Sequence, residues 1–170
     1  MNLRRCLLRG SLMALLMVWL AGCGFALRQP PSFNFQRLHV DGPTSSVMFQ
    51  SVLRNLQSID GLKVTTDSRE REQAQVVLIV GGEVPLKEIT GRTATGAVRE
   101  FNLRLSVTMR VVDHRGVEIL PNTTLTQRRD ISFSESAALS KETEEQMLYT
   151  EMRDDLLQQL LRRLASVKLR

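Results

Sequence analysis

The chain has 170 residues, with 23 Lys or Arg against 18 Asp or Glu and a formal charge of +5. That length suits one ordinary domain. Aromatic residues make up only 5%, too few for the stacking platforms of single-strand nucleic-acid binders. Two histidines and two cysteines leave little for a metal or nucleophile site.

The opening stretch divides into a basic "MNLRR" and an uncharged apolar run from Gly10 to Gly22. This is the layout of a secretory signal, and the run is short for a spanning helix, which takes about 20 apolar residues. Leu20-Ala21-Gly22-Cys23 then resembles the bacterial lipobox. The resemblance implies cleavage before Cys23, a diacylglycerol on its sulfur and acylation, with palmitate, of the new amino terminus. Cys6 leaves with the signal, so no disulfide is expected. One acyl chain binds a membrane only marginally, and multiple acylation makes the anchor stable. Gly24 stands where inner-membrane retention signals carry aspartate, which implies an outer-membrane lipoprotein facing the periplasm. Arg4, Arg5 and Arg9 are the only charges lost, so +5 falls to +2 for the processed chain. The pI near 9.9 therefore overstates its basicity, and no nucleic-acid partner is expected. The division expected is signal peptide 1–22, lipidated tether 23–35 and a single domain 36–170.

After the proline-bearing "RQPPSFNF", "QRLHVDG" reads as a short strand with Leu38 and Val40 on one side. Thr44, Ser45 and Ser46 offer caps for a helix that Gly61 stops, with a stripe of Val47, Met48, Val52, Leu56 and Ile59. "LKVTTD" predicts a second short strand, and "SREREQ" a charged loop. The unbroken apolar run Val76 to Val80 predicts a central strand buried on both faces. Gly81, Gly82 and Pro85 beyond it suggest a bulge or an unpaired edge.

"FNLRLSVTMRV" alternates Phe101, Leu103, Leu105, Val107, Met109 and Val111 with polar residues, a strand with one dry and one wet face. "DHRG" turns the chain, and a second long strand returns with Leu125, Ile131 and Phe133 in alternation. From Leu139 to Val167 the period becomes helical, with Leu148, Met152, Leu156, Leu160 and Leu164 on one face. Acids crowd the front of this helix and bases its end, which complements the helix dipole. The element order predicts an α+β two-layer sandwich, two helices on one face of a mostly antiparallel sheet.

Catalytic signals are thin, and an enzyme is not expected. His39 falls in a strand and His114 in a turn, with no thiol to join them, and no metal site or cofactor is predicted. "GRTATG" has the glycine spacing of a phosphate loop, but Ala97-Val98 replace the lysine and hydroxyl residue, so it reads as a hairpin loop. The carboxylates of the last helix read as a solvated face. Lys87, Arg92 and Arg99 cluster around the longer loop "ITGRTATGAV", and Lys141 lies just inside the last helix. Such cations either solvate loop tips or pair with phosphates through charge-assisted hydrogen bonds.

"LAGCGFALR", "REFNLRLSVTMRV" and "ALSKETEEQMLYTEMRDDLLQQLLRRL", in this order and spacing, resemble the LptE family of outer-membrane LPS-assembly lipoproteins. The resemblance implies a protein that plugs the lumen of the LptD β-barrel, helps it fold and assists LPS delivery to the outer leaflet. It also implies LPS binding through a strand-connecting loop, where Arg92, Arg99 and Lys87 lie, and through Lys141 near the start of the last helix. The wet strand faces would then meet the wet inner wall of a barrel. The alternative function is an auxiliary outer-membrane lipoprotein of another envelope transport complex, without LPS binding.

Overall fold

The computed structural model describes residues 32–168; the signal, Cys23 and most of the tether lie outside them. Six strands form a mixed sheet: β1 (Arg37–Asp41), β2 (Lys63–Thr65), β3 (Val76–Val80), β4 (Val84–Arg92), β5 (Val98–Val112) and β6 (Glu118–Ser132). The helices are α1 (Val47–Gln57) and α2 (Ala138–Ala165). β1 runs parallel to β2 and β3, whereas β3, β4 and β6 all pair antiparallel with β5.

β5 organises the sheet because its fifteen residues outlast every partner but β6. β6 follows one edge from Glu100↔Ser132 to Val112↔Glu118. On the other edge β3 takes Met109 to Val112 and β4 takes Val98 to Ser106. β3 and β4 are thus one course along β5, broken at Gly81-Gly82-Glu83. At the break the Gly81 amide still donates to the Thr108 carbonyl, at 2.8 Å. A Cβ on Gly81 would lie 2.1 Å from the Thr108 hydroxyl oxygen, so glycine is what lets the two strands meet there. Pro85 sits in an edge strand, where its missing donor costs no ladder bond. The register shifts lie later, between Ile89 and Arg92.

Both helices cover one face. Leu38 and Val40 of β1, Val76, Leu78 and Val80 of β3, and alternate residues Leu103 to Val111 of β5 meet Met48, Phe49, Val52 and Leu56 of α1. Met152, Leu156, Leu160 and Leu164 of α2 complete this core, with Leu157 and Leu161 beside them. Phe35 is buried in the same core. Ser46 caps α1, its hydroxyl accepting from the Phe49 amide. Val47, expected in the apolar stripe, is 54% exposed, and Phe49 takes the buried place. The reason is angular: at about 100° per residue Phe49 falls in one arc with Met48, Val52 and Leu56, and Val47 falls outside it.

The charged segment Ser68–Gln73, expected as a loop, is a short 3-10 helix capped by Asp67, whose carboxylate accepts from the Arg69 amide. It leads into Ala74, which packs with Val77 and Val112 on the sheet face opposite the helices. His39 of β1 is 4% exposed there. β1 and β3 are therefore covered on both faces, as the run Val76 to Val80 requires.

Candidate functional site

β4 and β5 extend beyond the shared core, and the first turns of α2 lie over the same end. Odd-numbered β4 residues pair with core-facing β5 residues, Lys87 with Leu103 and Ile89 with Phe101. Lys87 therefore points toward α2, although its strand is an exposed edge. Its ammonium stands 4.3 Å from the Phe101 ring centroid and 2.5 Å from a Glu145 carboxylate oxygen. Phe101 meets Phe133 edge to face, with centroids 5.4 Å apart.

Lys141 approaches from the helix. Its ammonium donates to the Ser132 hydroxyl at 3.0 Å and to Glu144 at 2.7 Å. Both lysines line one open cleft of about 330 Å³. Phe101, Ile131 and Phe133 give it an apolar floor, and Glu142 and Glu145 complete its rim. Tyr149 lies one turn along from Glu145 and donates its hydroxyl to the Leu86 carbonyl, at 3.3 Å. Burial, and then the Glu145 charge, push the Tyr149 phenol above its ordinary value.

The four predicted cations are thus divided. Lys87 and Lys141, far apart in sequence, share the cleft. Arg92 does not line it: its guanidinium donates to the Gly96 carbonyl, at 3.0 Å, in the β4–β5 hairpin loop. Arg99 is exposed on β5 and contributes its carbonyl, which accepts from the Phe133 amide at 2.7 Å. Of "GRTATG", Gly91 and Arg92 end β4 and Thr93 to Gly96 make the hairpin turn, with Gly96 at φ +87°. The sequence reading missed Glu145 and the Phe101–Phe133 pair. The available signal was that both aromatics stand at the ends of alternating runs, where a strand leaves the core.

Away from the helices, the wet face carries cross-strand pairs. Asn102 donates to Asp130 at 2.7 Å, Arg104 to Glu88 at 2.7 Å, and the Ser106 and Thr126 hydroxyls lie 3.1 Å apart. Among the described residues no cluster of three His, Cys, Asp or Glu side chains could hold a metal, and no helix is long and apolar enough to cross a membrane.

The fold is that of small bacterial lipoproteins. The solution structure of uncharacterized lipoprotein B from Nitrosomonas europaea is 27% identical, with a TM-score of 0.71 over 84% of this chain and 91% of that one. Rare lipoprotein B from Shewanella oneidensis is 21% identical, with a TM-score of 0.64 over 77% of this chain and 95% of that one. A minor lipoprotein from Acinetobacter baumannii is 24% identical, with a TM-score of 0.61 over 79% and 94%. No curated protein matches the sequence. Residues 35–164 match the family model described as LptE, lipopolysaccharide-assembly, and the chain belongs to that family. The family is one of non-enzymatic lipoproteins.

Proposed function

We propose that this protein is an outer-membrane lipoprotein that plugs and helps fold the LptD β-barrel and binds LPS during delivery to the outer leaflet. In this reading residues 1–22 are removed, Cys23 carries the acyl chains, residues 23–35 tether the domain 36–170 to the membrane, and the protein faces the periplasm. The polar face of β4, β5 and β6 supports the plug role, since hydroxyls, amides and charge pairs suit a wet barrel wall. LPS binding rests on one observation above the others: Lys87 and Lys141 converge over an aromatic floor. Ammonium groups take phosphates by charge-assisted hydrogen bonds, and the floor suits the acyl side of an amphiphile. Arg92 and Arg99 stand at the hairpin end of the same strands, outside the cleft lining, and in this reading would meet only the parts of the ligand that reach beyond it.

The test is equilibrium binding of LPS to the full lipoprotein in detergent. Replacing Lys87 and Lys141 together by methionine keeps their apolar stems and is expected to weaken binding about tenfold or more. Unchanged affinity would favour the auxiliary lipoprotein of another envelope complex, a reading to which the existing carboxylate partners of both lysines lend some weight.

A further inference from the structure

The cleft is neutralised from within. Lys87 and Lys141 face Glu145 and Glu144, and Glu142 adds a third carboxylate at the rim. An anionic ligand meets no ammonium free of a carboxylate there until one of these contacts opens. The two pairs are not equivalent. Lys141 and Glu144 are three residues apart on one helix, and the Glu144 side chain is half exposed. Glu144 can therefore leave Lys141 along the helix surface, while the Lys141 ammonium keeps its Ser132 contact. Lys87 and Glu145 join β4 to α2 across the cleft itself, and the Glu145 side chain is only 21% exposed. Lys87 is also held on the Phe101 face, so its ammonium is already placed where an anion would meet it.

We infer that Glu145 sets the affinity of the cleft: its carboxylate holds the place of the ligand's phosphate on Lys87, and a phosphate-bearing amphiphile enters by displacing it. This rests on the LPS-binding reading above. The exchange favours phosphate because a phosphate group carries more negative charge and one more acceptor oxygen than a carboxylate. Released Glu145 remains beside the cleft, ready to recapture Lys87 when the ligand leaves. A carrier that must hand on its cargo needs such reversibility, and a cleft of bare lysines would bind more tightly and release more slowly.

The experiment is LPS binding by the full lipoprotein in a double-mutant cycle of Glu145→Gln and Lys87→Met. Glutamine keeps the size of Glu145 and removes its charge. Glu145→Gln alone is expected to bind LPS about two- to fivefold tighter than the unaltered protein, the scale of one partly exposed ion pair. In the Lys87→Met background the same change is expected to do nothing. Equal or weaker binding by Glu145→Gln, or tightening that persists without Lys87, would overturn the inference while leaving the LPS-binding reading intact. Failure of both the unaltered protein and Glu145→Gln to bind LPS would remove that reading and the inference together. Thermal melting of each variant confirms that the comparison is between folded proteins.

Discussion

Glu83 and Arg153 form the ion pair that ties the bend of the sheet to the long helix. The Arg153 guanidinium Nε donates to one carboxylate oxygen of Glu83 at 3.1 Å, and the Met48 amide in the first turn of α1 donates to the other at 2.5 Å. The Glu83 side chain is 14% exposed and that of Arg153 22%. One carboxylate thus joins the β3–β4 break, the start of α1 and the middle of α2, and it places negative charge at a helix N-terminus, where it is favourable. Removing it strands a half-buried guanidinium and an amide. Glu83→Ala is expected to destabilise the fold by about 2–4 kcal/mol, measured by urea unfolding. Glu83→Gln retains an acceptor for Met48 and is expected to cost about half as much.

The same bend depends on Gly81. Gly81→Ala places a methyl group against the Thr108 hydroxyl, and overpacking of this kind costs about 1–3 kcal/mol. Thr108→Ala removes the clashing oxygen and leaves the Thr108 Cβ 3.3 Å away, a tight but tolerable contact. The double variant is therefore expected to recover most of the loss. Additive destabilisation of the two changes would show that the contact is not the cause.

His39 gives the fold an acid limit. Burial, opposed by the Asp41 charge and aided by Arg71, holds its pKa below the ordinary 6.5. The folded state thus prefers the neutral ring. His39 leaves stability intact above pH 6.5 and lowers it as pH falls from there toward the depressed folded value. His39→Leu is expected to flatten the dependence of Tm on pH across that window, read by thermal melts between about pH 7 and pH 5. An unchanged slope would assign the acid response to other groups.

Tyr149 reports on the cleft because it is the only tyrosine in the chain. Glu145→Gln removes one of the two causes that raise its pKa, and burial, the larger, remains. Phenolate absorbance is expected to titrate at lower pH in Glu145→Gln than in the unaltered protein, while staying above the ordinary value of 10.0. Identical titrations would place Glu145 away from the ring.

What could be read from the sequence was whatever depended on local periodicity. Leu103 to Val111 alternate over a long run, and Met152 to Leu164 recur at helical spacing, so each declares its own buried face. Val76 to Val80 marks a strand covered on both sides because it lacks polar residues. The cover itself was not legible, since Ala74 and the 3-10 turn before it reach the far face only through tertiary packing. The burial of His39 was hidden for the same reason. Lys87 and Lys141 could each be singled out as cations, but their meeting depends on the register of β4 against β5 and on where α2 begins. Glu145 looked like one acid among many on a solvated helix until the strand opposite it was placed.

The proposed role in LPS assembly requires a β-barrel as the lipoprotein's partner. Its most direct test is purification of the full chain from membranes in mild detergent, with mass spectrometry of whatever accompanies it. A stoichiometric outer-membrane β-barrel is expected to accompany it. Recovery alone, or with inner-membrane transporter subunits instead, would contradict that role.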